Sequence, residues 1–91
     1  GGDRGLLKFI AQSRKYPTDS QESGVQGRVI CSFVVDKKGN IVEPKIIRGI
    51  DPSLDAEALR VIGMMPRWTP GRQDGKAVRV LYTVPITFRL Q

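Results

Sequence analysis

From Val78 to Leu90 every second residue is apolar. Val78, Val80, Tyr82, Val84, Ile86, Phe88 and Leu90 alternate with Ala77, Arg79, Leu81, Thr83, Pro85, Thr87 and Arg89, a period of two that places the first set on one face of a β-strand. Pro85 lies inside this run. It has no N–H to give to a ladder, so the strand is expected to be interrupted near it and to sit at a sheet edge.

A second run with the same period stands earlier. Within an expected strand from Val25 to Asp36, Val29, Cys31, Phe33 and Val35 alternate with Arg28, Ile30, Ser32 and Val34. Asp36-Lys37-Lys38-Gly39-Asn40 reads as a turn with glycine available for positive φ, and Ile41 to Arg48 as the return strand of a hairpin. Pro44 places that return strand at an edge too.

Helical spacing links Leu54, Ala58, Val61, Ile62 and Met65. Asp51 or Ser53 is the candidate N-cap, Pro52 suits the first helical position, and Pro66 is expected to end the helix. Leu6, Leu7, Phe9 and Ile10 suggest one or two further helical turns near the start. Tyr16 must be extended because Pro17 follows it. Thr18 or Asp19 would cap a brief helix through Glu22 that Gly24 closes. Arg67 to Gly71 reads as an extended linker and Asp74-Gly75 as a turn.

The order helix, strand, strand, helix, strand implies a two-layer α+β domain. Its three-stranded antiparallel sheet, ordered second–first–third, packs against one main helix plus short N-terminal helical segments. Both outer strands then carry a proline and the central strand none, as ladder chemistry requires. The third strand is left with one free edge, and such an edge suits the addition of a strand from a partner. At 91 residues this is one domain, of which residues 1–5 are expected to be disordered or a cloning remnant.

Composition removes several chemistries. Histidine is absent and Cys31 is the lone cysteine, so no Ser–His or Cys–His pair, imidazole ligand set or thiolate cluster can form. Cys31 sits on an apolar strand face and reads as a small core residue. Asp51, Asp55 and Glu57 read as caps and dipole partners at a helix start. Gly71 to Lys76 lacks the helix a phosphate loop needs. Trp68 covers a core edge or, alternatively, anchors an interface. Net charge is +6, which suggests nucleic acid first. The charge is divided evenly between the halves and densest in residues 66–91, while Tyr82 and Phe88 belong to a core face, which argues against base stacking.

Read in order, Tyr16-Pro17, Gly24 to Val29, Phe33 to Asp36, Gly39, Leu54-Asp55, Ala58-Leu59, Pro66 to Gly71, Gly75-Lys76 and Pro85 to Phe88 resemble the C-terminal domain of the TonB family across residues 6–91. The resemblance implies a non-catalytic periplasmic module of an inner-membrane-anchored energy transducer, without metal or cofactor. It implies partners in TonB-dependent outer-membrane receptors, whose TonB box would be gripped by β-augmentation on the last strand at Arg79, Val80, Leu81, Tyr82, Thr83 and Val84. Ser13, Arg14, Lys15, Tyr16 and Pro17 would approach the receptor as well. An inner-membrane proton-channel complex would be engaged through a segment preceding this one, a homodimer is allowed, and nucleic acid is not a partner. The same domain type also serves as an adaptor in membrane-bound envelope sensors and metallopeptidases, which is the alternative reading. Two features depart from the family pattern: Ser13 replaces a frequent glutamine, and Pro85 should stop or displace augmentation.

Overall fold

Strand β1 (Gly27–Val35) carries the shorter alternating run, and its second-residue set is buried: Val29, Cys31, Phe33 and Val35 are all at most 1% exposed. The computed structural model describes residues 2–90. Around β1 the chain adds α1 (Gly2–Ser13), α2 (Thr18–Glu22), β2 (Ile41–Arg48), α3 (Pro52–Gly63), β3 (Gly71–Gln73), β4 (Lys76–Val78) and β5 (Val80–Phe88). The sheet is antiparallel and ordered β2-β1-β5, the second–first–third order expected. Helix α3 packs its Leu54, Ala58, Val61 and Ile62 face on β1 and β2, and α1 lies against α3 and β5.

Asp51 is the N-cap of α3. Its carboxylate accepts the Leu54 N–H at 2.7 Å and also holds the Ser20 hydroxyl at 3.1 Å, so one side chain closes α3 and fixes α2 beside it. At the β1–β2 turn Gly39 has φ +86°, and its carbonyl accepts the Trp68 N–H at 2.8 Å. A β-carbon there would stand 1.9 Å from the Trp68 carbonyl oxygen, so this turn takes only glycine.

Several expectations need correction. Strand β5 is not interrupted at Pro85: its register with β1 runs unbroken from Gly27↔Phe88 to Val35↔Val80. Pro85 can stay because it stands where no ladder N–H is required. The break comes at Arg79 instead, since Val78 pairs with Gly71 while Val80 pairs with Val35. The chain changes partner between them. Residues 67–70 form the expected linker, but Gly71 onward forms an unexpected hairpin, β3–β4, closed by the expected turn at Asp74 and Gly75 with φ 53° and 76°; a two-residue Asp-Gly loop with both φ positive is the preferred hairpin turn.

Neither Thr18 nor Asp19 caps α2; Pro17 precedes it with no side-chain cap, and Asp19 accepts the Ser53 hydroxyl at 2.6 Å. Helix α3 ends at Gly63 with Met64 as C-cap, ahead of Pro66. Helix α1 is longer than the one or two turns expected. Gly1 and the side chains of Leu6 and Leu7 lie outside the described residues.

Candidate functional site: the free edge of strand β5

The sheet has two edges, and they differ. Along β2 the pairing slips twice, between Ile30 and Cys31 and between Ser32 and Val34. Glu43 takes φ 53° there, Pro44 follows, and Glu43, Pro44 and Lys45 are exposed. A bulge, a proline and charges are the usual means of blunting an edge. Along β5 the register is regular over nine residues. Among the described residues no strand pairs with its outer edge, since the sheet ends at β5.

Side chains alternate across this strand as the period demands. Val84 is buried, Val80 and Tyr82 are half-buried on the core face, and Thr83 and Leu81 are exposed, Leu81 by 65%. Tyr82 stacks on Phe33 with ring centroids 5.7 Å apart and meets Trp68 at 5.0 Å. Trp68 also packs edge-on against Phe33 at 5.8 Å, so it covers the core edge. Arg79 is outside the strand. Its guanidinium pairs with the Glu43 carboxylate of β2, and it shares a shallow recess with Asp36, Lys37, Lys38 and Asn40.

The Ser13–Pro17 segment lies at the opposite end of β5. The Tyr16 ring meets Phe88 edge-on at 5.5 Å and its hydroxyl donates to the Val25 carbonyl. Arg14 places its guanidinium 5.7 Å from the Phe88 ring centre, Lys15 is exposed, and Pro17 leads into α2. The two groups of candidate residues therefore share one strand but not one end of it. Two residues that bear on this geometry escaped the sequence reading. Glu43 had no signal, since its pairing depends on a bulge. Arg60 had one: it follows Glu57 by three positions, the spacing of a helical ion pair.

The electrostatics of the surface follow from who is paired. Asp51 and Asp55 accept backbone N–H groups, Asp36 accepts those of Lys38 and Asn40, Asp19 holds Ser53, and Glu57 and Glu43 are bound by arginines. Lys37, Lys38, Arg67, Arg72 and Lys76, by contrast, stand exposed around the β1–β2 turn and the β3–β4 hairpin. The field near the Val80 end of the edge is positive. Cys31 is buried, and burial, helped by the charge of Asp55, pushes its thiol up to about 11. Among the described residues no group of three or more acidic or cysteine side chains is placed to hold a metal ion, and no helix is long and apolar enough to cross a membrane.

A family described as Gram-negative bacterial TonB protein C-terminal matches residues 12–90. No curated protein matches the chain significantly. Among solved structures, the fold is similar to a solution structure of the Helicobacter pylori TonB C-terminal domain, with TM-score 0.74 and 22% identity over 94% of this chain and 78% of that one. It is similar as well to the Pseudomonas aeruginosa TonB C-terminal domain, with TM-score 0.62 and 22% identity over 86% and 79% of the two chains.

Proposed function

The chain belongs to the TonB C-terminal family, and on that premise we propose that it is a non-catalytic periplasmic binding module. It takes the TonB box of TonB-dependent outer-membrane receptors as an added strand along β5 and passes inner-membrane proton-motive energy to them for uptake. Backbone groups of Leu81 and Thr83 supply the affinity, and the side chains of Leu81 and Tyr82 contact the added strand from either face. Ser13 to Pro17 meet the receptor beyond the Phe88 end.

The observation that carries this reading is the regular β5 edge, unpaired on its outer side, opposite a blunted β2 edge. An added strand needs outward N–H and C=O groups on every second residue of an unbroken edge, and β5 offers them at Leu81 and Thr83, ahead of Pro85.

The test is a titration of the isotope-labelled domain with a peptide carrying a receptor's TonB box, followed by amide exchange. The Leu81 and Thr83 amides should become protected, with nuclear Overhauser contacts from the peptide to β5. Protection along β2, or none anywhere, would overturn the reading.

A further inference from the structure

Glu57 is the only charged side chain that is buried among the described residues, at 9% exposure. Its carboxylate takes the Arg60 guanidinium at 2.7 Å through Nε and 2.8 Å through Nη2. It also accepts the main-chain N–H of Lys15, forty-two positions away. Arg60 turns the same Nη2 onto the Ser13 carbonyl at 3.0 Å. The last backbone bond of α1 is Arg14 N–H to Ile10 C=O at 3.0 Å. The Ser13 carbonyl and the Lys15 amide are thus groups that the end of the helix leaves over. Both are satisfied from one ion pair on α3. Main chain held at two nearly adjacent points fixes the side chains between and beside them: Arg14 over Phe88, Tyr16 against Phe88.

We propose that Glu57 and Arg60 are positioning residues, a carboxylate–guanidinium latch that sets where Arg14, Lys15 and Tyr16 stand beside the Phe88 end of β5. The role of the latch in binding rests on the reading that this segment meets the receptor. Its role in holding the main chain does not. The latch therefore acts on the partner contact through the Ser13–Lys15 main chain.

The test compares Glu57→Leu, which keeps the bulk but removes both acceptor oxygens, with the parent domain, using amide exchange and two receptor peptides. One peptide is a TonB box only long enough to pair with β5, and the other continues past the Phe88 end. The Lys15 amide should exchange at least about tenfold faster, while amides of β1 and β5 keep their rates. Affinity for the long peptide should fall and that for the short peptide should not. Unchanged Lys15 exchange, or equal weakening of both peptides, would overturn the proposal. If Glu57→Leu loosens the whole fold, the double variant Glu57→Leu/Arg60→Met serves instead, because it removes both charges and leaves neither without its partner; Lys15 exchange must still quicken. If the parent binds neither peptide, the receptor reading fails while the exchange arm still decides the latch.

Discussion

Pro85 stands opposite Ile30 in a ladder that runs without a slip from Gly27↔Phe88 to Val35↔Val80. Antiparallel partners alternate between pairs that exchange hydrogen bonds and pairs that do not. A proline fits only the second kind without loss, so Thr83↔Ser32 and Leu81↔Val34 are of that kind too. Pro85, Thr83 and Leu81 then aim their backbone groups away from β1. Pro85→Val adds one outward donor and removes no internal bond. Its stability should change by no more than about 1 kcal/mol, and it should self-associate more than the parent in sedimentation equilibrium.

Cys31 is enclosed by the core and its thiol is pushed up to about 11, mainly by burial. It should resist thiol reagents in the folded domain and react at once in denaturant. The folded state keeps its proton while the unfolded thiol loses it near about 8.5. Stability should therefore fall as pH rises from there toward about 11. Cys31→Ser should cost about 1–3 kcal/mol in urea unfolding, because the hydroxyl would be buried without a designed partner.

The acid side is set by different groups. The hydrogen bond from Arg60, with that from the Lys15 N–H, holds the Glu57 carboxyl below its usual range against the opposing effect of burial. Asp36 is lowered chiefly by the Asn40 N–H and Asp19 by the Ser53 hydroxyl. A carboxyl lowered in the folded state stabilises it above the unfolded pKa of about 4 and loses that contribution as pH falls through the folded value. Melting temperature should hold steady between about pH 5 and about pH 8, below the onset of Cys31 ionisation in the unfolded chain, and drop below that window. In Glu57→Gln the drop should be smaller, a comparison that circular dichroism can make.

The acids of this surface are largely engaged within the molecule, whereas Lys76 stands free on the β3–β4 hairpin beside the entry to β5. Lys76→Glu should slow association with an acidic receptor peptide by up to about tenfold at low salt and flatten the salt dependence. Dissociation should scarcely change. Arg79 is the poorer probe because Glu43 already holds it. Stopped-flow fluorescence from Trp68, which packs against Tyr82 on β5, would follow the encounter.

Much of the fold could be read from residues whose local chemistry and tertiary role agree. The alternation through Phe33 and through Val84 named the core faces, Asp51-Pro52 named the start of α3, and the two edge prolines named the strand order. The misreadings came where tertiary partners decide. Pro85 looked like a strand breaker because its fitness depends on which side of β5 faces β1. The β3–β4 hairpin was missed because Arg72, Gln73, Lys76 and Ala77 carry no apolar alternation. Asp19 looked like a cap, but the Ser53 hydroxyl on another helix claims it. The edge itself was legible, whereas the ties of Arg79 to Glu43 and of Glu57 to the Lys15 main chain were not. They join positions far apart in sequence.

The central claim is that Leu81 and Thr83 present the binding groups while Tyr82 belongs to the ladder with β1. Semisynthesis can place a single N-methyl group on the backbone at either position. N-methylation at Leu81 should abolish binding of a TonB box peptide in calorimetry and leave the circular dichroism spectrum and melting temperature close to the parent's. N-methylation at Tyr82 should lower the melting temperature sharply, since that N–H is spent on Phe33 opposite it. The reverse outcome, with Leu81 the structural position and Tyr82 the binding one, would contradict the account.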